Sequence, residues 1–293
     1  MRAPGKIILF GEHAVVYGKS GIAAPVNDLI TEVKIQPCPL LSVSYDRIFE
    51  EEDKQKVELL IEFLLKKLKI NSSIKIKISS TLPISSGLGS SASLSVSLIR
   101  ALSNYSKQNL NNDIINKIAF ECEKIFHGTP SGIDNTVITY AKPVFFKSGV
   151  KEVLDVKKPI NIVIANSGVR ASTKEVVLGV RERYNQNKEI YSNIFEQINQ
   201  VTINARVCIK TGNLEELGKL MTTNHELLKK IEVSSAKLDL LCEIALANKA
   251  YGAKLAGAGK GGNMIALVDE SNKDKIINEL TPLSKWVYYT VIK

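Results

Sequence analysis

Between Leu82 and Leu102 the chain reads LPISSGLGSSASLSVSLIRAL, and no other stretch restricts its fold so tightly. A proline opens it, glycines and serines fill its middle, and a largely apolar run closes it. Residues 74–79 just before it (IKIKIS) alternate Ile and Lys, the period of a half-buried strand. Gly87 and Gly89 allow close approach and backbone angles that other residues avoid. Ser90 and Ser91 stand where a following helix would start, with its unpaired N–H groups and positive dipole end. The stretch is therefore either a serine-capped helix after a tight turn or a cradle for an anion. Its second half also stays open. Ala92, Leu94, Val96 and Leu98 alternate with serines as in a strand, whereas Leu98, Ile99, Ala101 and Leu102 continue at helical spacing.

The familiar phosphate-loop pattern G-x-x-x-x-G-K-[ST] does not explain it. Gly18-Lys19-Ser20 ends that way, but His13 occupies the place of the first glycine. The 82–102 stretch has no G-K-[ST], and Gly89 is followed by Ser90, Ser91 and Ala92, not by x-x-Gly. Anion binding needs only free backbone N–H groups at a helix start, so the cradle survives the loss of the motif.

Around this centre, residues 6–10 (KIILF) and 30–35 (ITEVKI) read as strands. Residues 56–69 put Val57, Leu60, Ile61, Leu64, Leu65 and Leu68 on one helical face. Asp113 is the expected N-cap of a helix burying Ile114, Ile115, Ile118, Ala119, Cys122 and Ile125. Lys157-Lys158-Pro159 marks a boundary, after which 160–165 (INIVIA) reads as a buried strand. Ser172 and Glu175 form a capping box opening a helix toward Tyr184. Two or three helices follow across 189–250, then a glycine cluster (252, 257, 259, 261, 262), a strand at 264–268, a short helix and a strand at 286–292. Strands and helices mix throughout, so the class is α/β or α+β. With 293 residues, 44% of them hydrophobic, the chain can form one large domain or two medium ones.

Several function classes are disfavoured. No segment approaches the ~18 apolar residues of a membrane span, and Lys6, Glu12 and His13 come too early for a secretory leader, which gives a cytoplasmic expectation. The four cysteines are scattered without a C-x-x-C pair and there are only three histidines, so buried free thiols are expected and zinc is not. The net charge of +9 comes from dispersed lysines with no aromatic–basic signature, which argues against a nucleic-acid partner.

Three stretches, in order, carry a resemblance: A3-P-G-K-I-I-L-F-G-E-H-A-V-V-Y-G18, P83-I-S-S-G-L-G-S-S-A-S93 and K254-L-A-G-A-G-K-G-G-N-M-I-A-L267. Together they resemble the GHMP kinases. GEHAVVYG and E121-C-E-K-I-F-H-G-T-P-S-G-I-D-N135 look most like the branch that phosphorylates mevalonate. The resemblance implies an α+β fold (α/β mixed): an N-terminal ribosomal-protein-like α/β domain over residues 1–157 and a C-terminal ferredoxin-like α+β domain over 158–293, with ATP and substrate meeting in a cleft. It also implies that 82–102 is loop then helix. The expected reaction moves the γ-phosphate of ATP to the 5-hydroxyl of (R)-mevalonate. Another small-molecule kinase of the family, acting on phosphomevalonate or homoserine, is the alternative, followed by a catalytically silent member and an RNA-binding protein. A homodimer is compatible with the resemblance; nucleic acid and membrane are not expected partners.

By the same resemblance, Ser85, Ser86, Gly87, Leu88, Gly89, Ser90 and Ser91 wrap the triphosphate. Ser91 and Glu123 offer oxygens to Mg²⁺, a hard cation that uses few protein ligands. Asp134 is the catalytic base for the substrate hydroxyl, with Lys6 nearby as a positive charge. Glu12, His13, Ser131 and Thr173 are implied substrate contacts. From the residues alone, Glu123 reads as a solvated helix face, Asp134 as a turn residue and Lys6 as a surface charge at a strand start. Thr173 also reads as the first helical residue after a cap. One departure stands out: family members commonly read GAGGGG followed by a small residue or Cys, whereas this chain has Lys260 inside the glycine run and Asn263 after it. Lys260 could reach a phosphate, or crowd the turn if its φ is positive.

Overall fold

A computed structural model describes residues 1–46, 51–71, 73–83, 87–127, 131–147 and 150–293. The chain divides into two compact units, one formed by Met1–Lys6 and Pro25–Ala141, the other by Ile7–Ala24 and Lys142–Lys293. Strands β1 (Arg2–Phe10) and β2 (Gly21–Pro37) each contribute residues to both.

In the first unit, β3 (Ser42–Tyr45), helix α1 (Glu51–Lys67) and β4 (Ile74–Ser80) form a crossover. β3 and β4 pair in parallel, which requires such a connection. β2 runs antiparallel to β4, from Thr31 opposite Ser80 to Pro37 opposite Ile74. The spacing expected of α1 holds: Val57, Leu60, Ile61, Leu64, Leu65 and Leu68 are all buried. They share a core with Ile74, Ile76 and Ile78 of β4, whose intervening lysines are exposed.

Helix α2 (Ser90–Tyr105) resolves the ambiguous stretch. It is buried on nearly every face, from Ala92 through Ile99, so no single apolar stripe marks it. Its serines find acceptors outside the helix. Ser93 donates to the carbonyl of Ala3 at 3.0 Å and Ser97 to that of Thr31 at 2.9 Å. A hydroxyl satisfied this way does not compete with the helix's own ladder.

Helix α3 (Asn112–His127) starts differently from the expectation. The cap is Asn111, whose Oδ1 accepts from the backbone N–H of Ile114 at 3.0 Å. Asp113 lies in the first turn, where its carboxylate accepts from the hydroxyl of Tyr140. Ile115, Ile118, Ala119 and Cys122 are buried as expected, but Ile114 is 42% exposed at the helix start. Helix α4 (Ile133–Tyr140) completes the unit.

The second unit begins with the hairpin β5 (Val144–Lys147) and β6 (Val150–Val153); Gly21–Ala23 pair antiparallel with β5. There follow β7 (Ile160–Asn166), α5 (Thr173–Gln186), α6 (Lys188–Thr211), α7 (Leu214–Lys230), α8 (Ala236–Ala247), β8 (Gly252–Ala256), β9 (Asn263–Leu267), α9 (Lys273–Leu280) and β10 (Trp286–Ile292). The four strands β7 to β10 form an antiparallel sheet in the order β10-β7-β9-β8. Ser172 caps α5 as expected, accepting from the N–H of Glu175 at 3.3 Å. Helix α7 packs backbone against backbone beside β8. A Cβ on Gly252 would fall 1.8 Å from the carbonyl oxygen of Gly218, so neither glycine tolerates a side chain. This close approach brings Asn224 and His225 of α7 to β8.

The mixed α+β class stands. Cys122, Cys208 and Cys242 are buried free thiols, and Cys38 is a partly exposed one. Among the described residues no helix is long and apolar enough to cross a membrane.

Candidate active site

The first unit gathers four expected residues. Lys6, on β1, is 6% exposed. Its Nζ lies 3.2 Å from Oδ2 of Asp134 and donates to the carbonyl of Gly87 at 3.1 Å. Its backbone N–H donates to the carbonyl of Leu88 at 2.8 Å. One lysine therefore ties the glycine-serine loop, the strand and the helix bearing Asp134. Gly89 makes this fit: its φ is +75°, and a Cβ there would lie 2.8 Å from Cγ of Lys6. Gly87 has open space on the side where a Cβ would stand.

Gly89 opens α2 without a side-chain cap. Ser90 and Ser91 form the first turn of the helix, the part whose N–H groups point away from the helix's own ladder and can bind phosphate. Leu88 is buried and anchors the loop. Ser85 and Ser86 lie outside the described residues.

Asp134 sits in the first turn of α4, where the helix dipole favours a carboxylate. Its neighbours hold the turn in place. Asn135 donates to the carbonyl of Asn116 at 3.2 Å, and Thr136 to that of Gly132 at 2.7 Å. Ser131 is exposed, and its Oγ accepts from the N–H of Ile133 at 3.4 Å.

Glu123, far from being a solvated helix face, is 2% exposed. Ser91 donates to its Oε2 at 3.3 Å. Burial pushes its carboxyl up to about 8, with the charge of Asp134 adding to the effect and Ser91 and Lys6 opposing it. A buried carboxylate so disfavoured gains most from a cation, and the paired hydroxyl and carboxylate oxygens are the hard donors that Mg²⁺ takes.

The other candidates belong to the second unit. Glu12 is buried, and both its oxygens are engaged: Oε1 with Nζ of Lys254, Oε2 with Nδ2 of Asn224 at 3.0 Å. His13 adopts φ 60°, is 7% exposed, and has Nε2 2.8 Å from the carbonyl of Ala258. Burial holds its pKa below the ordinary range. Thr173 is exposed at the first position of α5, after the Ser172 cap. In the third glycine motif, Lys260 has φ 58°, so the position does take the left-handed conformation. It avoids crowding because its side chain is exposed. Asn263 is buried and accepts from Nδ2 of Asn166 at 2.8 Å.

Lys254 and Asn224 were not among the residues singled out from sequence. The available signal was a lone charge in an otherwise small and apolar strand, Gly252–Ala256.

Residues 55–142 match the GHMP kinases N terminal domain and residues 205–282 the GHMP kinases C terminal family. A mevalonate kinase of Pyrococcus furiosus is 35% identical, over 93% of this chain and 90% of that one. The crystal structure of L. major mevalonate kinase in complex with R-mevalonate superposes with a TM-score of 0.92 at 31% identity, covering 100% of this chain and 95% of that one. The Methanococcus jannaschii mevalonate kinase superposes at 0.89 with 31% identity, covering 100% and 98%.

Proposed function

The chain belongs to the GHMP kinases, and from that premise we infer that it is an ATP-dependent kinase that phosphorylates mevalonate. The γ-phosphate of ATP passes to the 5-hydroxyl of (R)-mevalonate, giving 5-phosphomevalonate and ADP. The observation that carries the assignment of roles is the Lys6 ammonium, 3.2 Å from Asp134 and 3.1 Å from the Gly87 carbonyl.

In our reading, Asp134 accepts the proton of the 5-hydroxyl as its oxygen bonds to the γ-phosphorus. The bond from that phosphorus to the β-bridging oxygen breaks, and ADP leaves with the electron pair. Lys6 supplies positive charge beside the base and the transferring group, where a fixed charge counts most. Residues Ser85 to Ser91 hold the triphosphate against the start of α2. Ser91 and Glu123 would hold Mg²⁺, which supplies charge neutralisation to the phosphates. His13, Ser131 and Thr173 are the residues we assign to mevalonate.

Purified protein with ATP, Mg²⁺ and racemic mevalonate in a coupled ADP-release assay tests the function. Turnover with homoserine or phosphomevalonate, and none with mevalonate, would reject it.

A further inference from the structure

The motif around Glu12 contains a charge network whose purpose differs from what the motif alone implies. Lys254 is completely buried, and its Nζ pairs with Glu12 and donates to the carbonyl of Leu255 at 2.6 Å. Asn224, also fully buried, holds the other oxygen of Glu12. A carboxylate with both oxygens committed and a side-chain exposure of 1% has no free face for a ligand. The residues on either side adopt unusual backbone angles, φ 91° at Gly11 and 60° at His13. A histidine holds such a conformation only where its surroundings over-determine it.

His13 is fixed at its other end too. The carbonyl of Ala258 only accepts, so Nε2 carries the hydrogen. In the neutral ring Nδ1 is then left as an acceptor. An acceptor nitrogen takes a hydroxyl from a substrate and gives nothing to a carboxylate.

We infer that Glu12 is a positioning residue and not a substrate contact: with Lys254 and Asn224 it clamps the Gly11-Glu12-His13 turn, so that Nδ1 of His13 accepts from a substrate hydroxyl. All of these residues belong to the second unit. The inference rests on the assignment of His13 to the substrate.

Rescue separates the two roles. Glu12→Gln strands the buried Lys254 ammonium and lowers kcat/KM for mevalonate at least ~30-fold, and Lys254→Met strands the carboxylate with a similar loss. The double variant Glu12→Gln/Lys254→Met leaves no uncompensated charge and recovers at least ~10-fold over either single change, with KM for ATP unchanged throughout. A direct contact cannot be restored by removing a lysine, so a folded double variant no better than Glu12→Gln overturns the inference. Asn224→Ala keeps both charges and covers the case in which the charge variants do not fold. It should lose about 10-fold in kcat/KM for mevalonate, with Asn224→Ser, which keeps a donor, recovering part. Wild-type kcat/KM in folded Asn224→Ala overturns the clamp. His13→Gln isolates the underlying assignment: an unchanged KM for mevalonate there rejects the substrate role of His13, whereas a raised KM without rescue at Glu12 rejects only the clamp.

Discussion

Nζ of Lys6 lies 3.2 Å from Oδ2 of Asp134 while donating to the carbonyl of Gly87, so the carboxylate we propose as base and the loop we propose as phosphate cradle share one cation. Replacing Asp134 by Asn keeps size and removes the proton acceptor. Turnover should fall by about 10²–10⁴, the range for loss of a general base, with ATP affinity little altered. Lys6→Met should lower turnover and also raise KM for ATP, since the tie to Gly87 goes with the charge. Steady-state kinetics and nucleotide titration distinguish the two; an Asp134→Asn enzyme with near wild-type turnover removes Asp134 from the mechanism.

Burial raises the Glu123 carboxyl to about 8, which favours its protonated form at neutral pH. In the proposed site Mg²⁺ would need the carboxylate. Its apparent affinity should therefore fall nearly tenfold per pH unit as pH drops below about 8, and binding should release up to one proton. Calorimetry in two buffers of different ionisation heat reads that release directly. Glu123→Gln should abolish it; proton release that persists in the variant means the group lies elsewhere.

Lys260 holds a left-handed φ of 58° in a glycine-rich loop, with its side chain exposed and no ion pair among the described residues. Lys260→Gly removes the steric cost of that conformation but adds freedom to the unfolded chain, a net gain of about 0.5 kcal/mol. Its melting temperature should rise by about 1 °C. If the ammonium serves an anionic ligand, kcat/KM falls at the same time, and the deficit shrinks with added salt. Unchanged kinetics with higher stability mark the lysine as dispensable.

His225 of α7 accepts the N–H of Leu255 at Nδ1 at 3.2 Å, so Nε2, 3.1 Å from Asp239, carries the hydrogen of the neutral ring. Burial lowers its pKa, opposed by Asp239 and Glu226 and reinforced by Lys254 and Lys229. A depressed pKa contributes stability that is present above the unfolded value near 6.5 and lost as pH falls below it. His13 is depressed in the same direction by burial and by Arg183, against Glu12, whereas Glu123, raised, contributes stability that is lost as pH rises toward about 8. The His225 share is isolated by comparing wild type with His225→Gln in urea. The gap between them should narrow from pH 7.5 to 5.5, by at most about 1.4 kcal/mol per pH unit. A constant gap means the ring does not titrate differently on unfolding.

Local patterns were legible where one face decides the fold. The Ile-Lys alternation of β4 and the apolar stripe of α1 each report a single buried side, and both match. Helix α2 was not legible from periodicity, because it is buried nearly all round and its serines bond to carbonyls 66 and 90 residues away. The cap of α3 is Asn111 and not Asp113: both residue types suit a cap, and the contact of Asp113 with Tyr140, 27 residues away, leaves no local signal. At the site, the motifs named Lys6, Ser91, Glu123 and Asp134, and these are side by side. No local signal announced that Glu123 is buried, or that Glu12 meets Lys254 and Asn224. Those facts arise from contacts 212 and 242 residues apart.

The membership of Ile7–Ala24 in the second unit has a consequence for synthesis. Glu12 leaves the ribosome ahead of its partner Lys254, which follows 242 residues later. At typical elongation rates that interval is on the order of 10–50 s. Throughout it the carboxylate has no Lys254 to meet, and the segment Ile7–Ala24 waits for the rest of its unit. Closing the Glu12–Lys254 pair thus waits for Lys254 to be made, and a chain interrupted before Lys254 would leave the Glu12 motif without the charge it is built to meet.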